Sequence, residues 1–555
     1  MNSKPLGTLV AYLDARTNAV TDVAALSTLE IQSIAYRSSD VSPGCLFFCI
    51  PGIKADGHDF AFDAAERGAV ALAVQRGLAI DVPQIRFSDT RLALALVSRS
   101  FYEDPSADLT ISAVTGTNGK TTTTYLVDWI CRYHLACSKG LSTEAAQEYT
   151  GLIGTVETRL GSIKHVSKYT TPESLDLQRL LAEMRDRGVS HVCMEASSHA
   201  ITLKRIAGIR FAVAAFTNLT QDHLDFHKTM EEYFEAKAAL FDSSLVDKRV
   251  ICIDDQAGRQ LLRRCQKNGF GVLTCGLSED AQIRAEVQCF GENSTTISLF
   301  VFGEQFSLTY PLIGGFNVSN VLLAASIAYA LGIPAFQIVE ALARCPQIPG
   351  RLERVLAYGI EPQEKRQAPI NVFVDYSHTP DSITKALKAL NELKTNKTII
   401  VFGCGGDRDA TKRPLMGKAA LDADYAVVTS DNPRTEDPMK IIEDILPGMT
   451  DGEGRFEVEP DRRRAIAKAL ARAEAGDLVL IAGKGHEDYQ LVGDQVLSFD
   501  DRIVAAEELA VLIRNNHWNG VVECVVANEI AGETRIVSDA EFTSELKPAG
   551  GPSCI

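Results

Sequence analysis

The chain lacks the features that would place it in a membrane, outside the cell or on a nucleic acid. It has no C-x-x-C pair, and its 13 cysteines are odd in number and scattered, with only Cys45 and Cys49 close together. A disulfide framework and a zinc ribbon are therefore disfavoured, and the cysteines read as small buried residues in a reducing cytosol. There is no signal-peptide stretch at the N-terminus, and the longest apolar run, 321–333, falls well short of the roughly 20 residues that span a bilayer. The expectation is a cytoplasmic protein without membrane insertion. Positive charge is in deficit as well: 56 basic against 72 acidic residues leave a net charge of -16, which repels polyanions and argues against nucleic-acid binding. No tract of biased composition interrupts the 555 residues, of which 46% are apolar and 23% charged, as in folded globular chains. That length exceeds what one core fills and suggests about three to four units.

The most informative segment is Ile111-Ser112-Ala113-Val114-Thr115-Gly116-Thr117-Asn118-Gly119-Lys120-Thr121-Thr122. An apolar strand runs into a glycine turn, a lysine and a hydroxyl run that opens a helix. Gly116 and Gly119 let successive N–H groups curl toward phosphates, Lys120 adds a mobile cation, and Thr121 or Thr122 can reach a magnesium ion. The strict P-loop pattern wants glycine where Val114 stands, so this is a variant form.

Around this segment, strands alternate with helices. Residues 45–50 and 69–74 read as apolar strand runs and 62–67 as a helix, giving a small N-terminal α/β domain over 1–108. From 109 to 345, strands at 111–114, 189–194 and 212–216 with intervening helices predict a P-loop-type, doubly wound, mostly parallel sheet. Strands at 372–374, 398–402, 425–429 and 478–481 predict a third, Rossmann-like domain over 346–515. The remainder, 516–555, holds a candidate strand pair and no identifiable chemistry.

Open parallel sheets bind ligands beyond their strand ends, and polar clusters stand there. Glu195 follows the second central strand and Asp222-His223 the third, a carboxylate and an imidazole suited to a divalent ion shared with a nucleotide. Taken alone, His223 also fits a helix start or a core position. Lys237, on the apolar helix 233–241, reads on pattern alone as a snorkelling lysine. In the third domain, Asp375 ends a strand as ribose-binding acids do. Arg434, in Asp431-Asn432-Pro433-Arg434, can grip a carboxylate with two prongs. Loops 403–409 and 483–487 add fixed charges, and each on its own could be an ordinary turn.

Over about 38–506, these ordered motifs resemble the Mur ligase family, within it the branch that adds the third residue of the peptidoglycan stem. The resemblance implies an ATP-dependent amide ligase that joins meso-diaminopimelate to UDP-N-acetylmuramoyl-L-alanyl-D-glutamate through an acyl phosphate. It implies that Ser38, Thr170, Thr171, Ser197 and Arg205 hold the sugar nucleotide and its dipeptide. It implies that Lys237 carries a carbon dioxide-derived carbamate and, with Thr121, Glu195 and His223, serves Mg2+. Gly116, Thr117, Asn118, Gly119, Lys120, Thr121 and Thr122 would hold ATP with Asn317, Asn320, Arg351 and Asp375. Lys120, Glu195, His223 and Lys237 would form the catalytic set. Arg408, Asp431, Asn432, Pro433, Arg434, Gly483 and Glu487 would take the amino acid, Arg434 reading its distal carboxylate. A monomer is expected.

Leu203 stands where relatives often carry a polar residue, and 133–149 is longer and more polar than the family pattern. Lysine addition, folylpolyglutamate synthesis and a P-loop kinase or switch ATPase are the rival readings. Arg434 speaks against the first, since it would repel the lysine side chain, and Thr170 to Ser174 together with the G-K-G-H-E loop speak against the second. The third leaves Lys237 and Asp375 without a role.

Overall fold

Aliphatic segments buried along their whole length, such as Thr398–Phe402 and Leu478–Ala482, can only be interior strands of a sheet covered on both faces. A computed structural model describes residues 3–11, 26–52, 55–167, 169–291, 293–357, 368–393, 396–515 and 517–518. The candidate strand pair beyond 518 lies outside these residues. The chain divides into two units, Met1–Thr274 with Leu323–Ile338, and Cys275–Leu322 with Val339–Ile555.

Besides a two-stranded ribbon of Lys4–Pro5 with Glu30–Ile31, the first unit holds two larger sheets. In the smaller, strands Ser33–Ala35, Cys45–Phe48, Ala69–Val74 and Gln84–Arg86 lie side by side and parallel. Alternate side chains serve opposite faces: Leu46, Phe48, Ala71 and Ala73 pack with Leu94 and Val97 of helix Thr90–Phe101, and Cys45, Phe47, Leu72 and Val74 with Ala61 and Ala64 of helix Ala61–Glu66. In the larger sheet, Thr110–Thr115 lies between His191–Glu195 and Phe211–Phe216, all parallel. The chain therefore leaves this strand toward one neighbour and later returns to the other, so the carboxyl end of Thr110–Thr115 opens at a switch in strand order.

The second unit contains an antiparallel meander, Ile283–Phe290, Thr295–Val301 and Glu304–Tyr310. It also contains a six-stranded sheet in the order Glu353–Val355, Asn371–Asp375, Leu478–Ala482, Thr398–Phe402, Tyr425–Val428 and Phe456–Val458. All but the first of these six strands run parallel. Phe373, Ile400, Phe402, Val428 and Leu480 feed one core and Val372, Val374, Val401, Val427 and Ile481 the other. The α/β class expected from sequence is the class observed.

Two details differ from expectation. The strand expected from 189 begins at His191, because Val189 closes the preceding helix through its N–H to Met184 O (3.0 Å) after Gly188 at φ 84. The meander at 283–310 and the hairpin Glu157–Leu160 with Ile163–Val166 were not foreseen. Strand Thr295–Val301 alternates buried and half-buried residues, the signature of a one-faced strand rather than a continuous apolar run. Among the described residues, no helix is long and apolar enough to cross a membrane.

The wholly buried pair Arg462 and Asp501 (2.6 Å) ties helix Asp501–Arg514 to the parallel core, and Arg462 also donates to Ala482 O (3.0 Å). Asp501→Ala strands a buried guanidinium, with an expected loss of about 3–5 kcal/mol in urea unfolding monitored for this unit.

Candidate active site

Strand Thr110–Thr115 ends at Gly116, whose φ of 144 and close neighbours admit no side chain: a Cβ there would stand 1.8 Å from Thr217 Oγ1. The turn is locked to the segment after strand Phe211–Phe216. Thr117 N–H donates to Asn218 O (2.9 Å), Asn118 N–H to Asn218 Oδ1 (3.0 Å), and Thr217 Oγ1 to Asn118 O (2.7 Å). Gly119, at φ 84, then starts helix Lys120–Lys139, and Thr121 and Thr122 are buried in its first turn.

Two ammonium groups converge on this turn. Lys120 Nζ donates to Thr117 O (2.7 Å) and Gly116 O (3.1 Å), and Lys237 Nζ donates to the same Gly116 O (2.7 Å). Lys237 does not snorkel; it is 1% exposed and lies over the Tyr233 ring. Burial, and then the Lys120 charge, hold its ammonium well below the usual lysine range, against the pull of Asp222. His223, at φ 53, stands 3.4 Å from Asp222 and edge-on to His199. Burial, then the cationic neighbours, push this imidazole down to about 4 in spite of Asp222, so it is neutral at pH 7.

Glu195 is buried beside the turn. Its Oε1 accepts from Thr121 Oγ1 (3.0 Å) and Thr155 N–H (2.8 Å), and its Oε2 from Thr155 Oγ1 (3.1 Å). Thr155 Oγ1 also meets Thr170 Oγ1 at 3.0 Å. A hydroxyl chain thus runs from helix Lys120–Lys139 through Glu195 to the Thr170–Thr171 segment. Thr171 Oγ1 donates to Glu195 O (2.8 Å) and accepts from Ser197 N–H (3.2 Å), and Arg205 donates to Thr171 O (3.0 Å). Arg91 and Arg205 both pair with Glu173 (3.3 and 3.4 Å), and Tyr36 donates to Asp176 (2.7 Å). These bonds fasten the segment to the small sheet, where Ser38 opens a short turn, Ser38–Asp40. Thr155 is not marked by any sequence motif; its only signal is its place after strand Thr150–Ile153.

In the second unit, Asn317 donates to Ile313 O (2.8 Å) and accepts from Asn320 (2.9 Å) at the start of helix Gly315–Ala330. Both oxygens of Asp375 accept protein bonds, from Leu352 N–H (2.7 Å) and Ser377 N–H (2.8 Å). Arg351 stacks over Tyr376. Asn317, Arg351, Ile313 and Phe373 line one open cleft.

The remaining residues form one cluster of strand-end loops. Arg434 adopts φ 52, an unusual state for a side chain, and it is held there from both sides: its N–H donates to Leu491 O (3.0 Å) and its carbonyl accepts from Gly493 N–H (2.6 Å). Leu491 and Gly493 belong to the hairpin formed by Tyr489–Val492 and Gln495–Ser498, a clamp that no sequence motif announces. The Arg434 guanidinium donates to Gly406 O (2.7 Å), beside the exposed Arg408. Asn432 donates to Glu487 Oε2 (2.8 Å), Asn432 N–H donates to Asp431 Oδ1 (2.6 Å), and Pro433 is buried between Asn432 and Arg434. Gly483 passes so close to Asp431 that a Cβ would meet Oδ2 at 2.5 Å.

Among the described residues, no group of three or more His, Cys, Asp and Glu side chains is gathered as a ready metal site. The donor set that does meet, a buried carboxylate and the Thr121 hydroxyl, is hard oxygen. It suits Mg2+, which takes few protein ligands and keeps several waters.

A glycine turn met by two lysines at a parallel-sheet switch point marks a nucleotide-using class of α/β enzyme, and similarity to known proteins narrows it. The Mur ligase middle domain matches residues 114–328, the Mur ligase glutamate ligase domain 360–485, and the catalytic domain of the Mur ligase family 30–102. The chain is 43% identical over 484 residues to the UDP-N-acetylmuramoyl-L-alanyl-D-glutamate–2,6-diaminopimelate ligase of Geobacillus thermodenitrificans, covering 86% of this chain and 94% of that one. It is 42% identical to the Lactiplantibacillus plantarum protein of the same name, covering 88% and 96%. A solved structure of a ligase of that name superposes with a TM-score of 0.63 at 31% identity over 90% of this chain and 99% of that one. The chain belongs to the Mur ligase family and is an ATP-dependent amide ligase.

The Lys237 ammonium has a sign that can be tested. The unfolded chain keeps that proton to about pH 10.4. The folded chain releases it at lower pH, so stability rises with pH between the two values. In carbon dioxide-free buffer, urea midpoints from pH 7 to 9 are expected to climb more steeply for the wild type than for Lys237→Met; parallel slopes would contradict the assignment.

Proposed function

We propose that the chain joins meso-diaminopimelate to the D-glutamyl γ-carboxylate of UDP-N-acetylmuramoyl-L-alanyl-D-glutamate, with ATP converted to ADP and phosphate. The observation that carries this reading is the Arg434 loop. Its guanidinium is fixed by Gly406 O and its backbone by the hairpin, next to Asn432 and Glu487. A cation with Glu487 close by matches a diamino acid whose far end is a zwitterion, and would repel the bare ammonium of lysine. The names borne by relatives at 42–43% identity point the same way.

The chemistry follows from the leaving group. A carboxylate oxygen leaves poorly and its charge repels an amine. In the proposed sequence the γ-carboxylate oxygen attacks the γ-phosphorus of ATP, the bond to the β-phosphate oxygen breaks, and an acyl phosphate forms. Lys120 and the N–H groups that open helix Lys120–Lys139 stabilise the charge on the transferring phosphoryl group. Thr170, Thr171, Ser197 and Arg205 orient the dipeptide, with Ser38 at the uridine end. Arg408, Asp431, Asn432, Pro433, Arg434, Gly483 and Glu487 present the amine, which attacks the acyl carbon, loses a proton and expels phosphate. Asn317, Asn320, Arg351 and Asp375 take the rest of the nucleotide.

Glu195, Thr121 and His223 would hold Mg2+, which when bound neutralises charge on the phosphate oxygens. Lys237 would join them as a carbamate. Its low proton affinity favours the free amine that adds to carbon dioxide, and the product is an anionic oxygen donor. To this reading belong the division into a UDP-sugar domain (1–108), an ATP domain (109–345), an amino-acid domain (346–515) and a tail (516–555), a monomeric state and a cytoplasmic setting.

Phosphate release from ATP and the dipeptide nucleotide, compared across diaminopimelate, lysine, ornithine and glutamate, tests the assignment; turnover preferring lysine would reject it. Lys120→Ala is expected to abolish release. Arg434→Ala is expected to raise KM for diaminopimelate by about tenfold or more and leave KM for ATP within about twofold; equal effects would show that Arg434 does not read the acceptor.

A further inference from the structure

Lys484 carries a charge that the chemistry above does not use. It is fully buried, and its Nζ donates to Asn432 Oδ1 (3.2 Å) and Glu487 Oε2 (3.2 Å). Asn432 closes the triangle: its Nδ2 donates to the same Glu487 Oε2 (2.8 Å), and its Oδ1 also accepts from Leu491 N–H (2.9 Å). The amide of Asn432 is thereby fixed in one orientation, since reversing it would face Nδ2 with two donors.

The loop dictates this inward placement. Gly483 at φ 118 and Gly485 at φ 56 flank Lys484. A Cβ on the first would meet Asp431 Oδ2 at 2.5 Å and on the second Tyr376 Cβ at 2.8 Å. The backbone is pressed flat on both neighbours, and the lysine between them fills the space beneath Glu487. Burying an ammonium is costly, and an apolar side chain of the same volume would serve packing at least as well. Its charge therefore has a purpose other than filling space. Both donors fall on Oε2 of Glu487, leaving Oε1 of this 15% exposed side chain outside the triangle.

We infer that Lys484 is a positioning residue for acceptor recognition: by holding Glu487 Oε2 and the Asn432 amide, it aims Glu487 Oε1 at the ammonium of the incoming amino acid. This rests on the acceptor reading proposed above. Lys484 touches neither ATP nor the reacting carbon in that reading and acts through Glu487.

The test is a kinetic split with a double-mutant cycle. Lys484→Met is expected to raise KM for diaminopimelate about tenfold, leave KM for ATP within about twofold, and add less than about twofold in a Glu487→Gln background. An equal rise in both KM values, or an undiminished effect in the Glu487→Gln background, would overturn the inference. If Lys484→Met does not fold, Lys484→Gln, which keeps a polar donor in the loop and removes the charge that holds Glu487, is read by the same split and the same cycle. A wild type without acceptor-dependent turnover contradicts the proposed function; normal turnover by both wild type and Lys484→Met contradicts the role of Lys484 alone.

Discussion

Two lysine amines sharing one backbone carbonyl set the terms for the rest of the first unit. Lys120 and Lys237 both donate to Gly116 O, in a chain whose net charge is -16. A charge on Lys237 would face that of Lys120 with no water to screen it, and burial and that neighbour together loosen its proton. The arrangement persists because the turn is bolted to the segment after Phe211–Phe216, and because Gly116 leaves room for Thr217. With a net charge of -16 the protein as a whole offers no positive field, so any attraction for an anion at this turn is local.

The carboxylate side of the site is organised by hydroxyls. Glu195 receives Thr121 from helix Lys120–Lys139 and Thr155 from the neighbouring strand end, and Thr155 meets Thr170. A displacement of the segment around Thr170 and Thr171 is therefore felt at Glu195 and at the first turn of helix Lys120–Lys139 through short, directional bonds. In the second unit, the hairpin after Asp488 plays the equivalent part, holding Arg434 in a backbone state that a free loop would leave.

What could be read from sequence follows a physical division. Strands buried on both faces, such as Thr398–Phe402, are continuous apolar runs and are legible, as is the Gly-Lys-Thr turn, whose chemistry is local. One-faced strands such as Glu304–Tyr310, exposed at alternate positions, lack that run. Lys237 is ambiguous for a better reason: on its helix it looks like a solvated lysine, and only the packing of Tyr233 and Gly116 around it determines that it is buried. Thr155, Lys484 and the clamp at 489–498 depend on contacts tens of residues away, which no local pattern carries. The family resemblance, not any local pattern, singles out Thr170, Thr171, Ser197 and Arg205, which the geometry brings together around Glu195.

Activation of the acid by phosphorylation at the Gly116 turn is tested most directly by following oxygen. With the D-glutamyl γ-carboxylate labelled with oxygen-18 in the dipeptide nucleotide, the account predicts one labelled oxygen in each phosphate released during ligation to diaminopimelate. Ligation that proceeds with all label left in the amide product and in water, and none in phosphate, would contradict it.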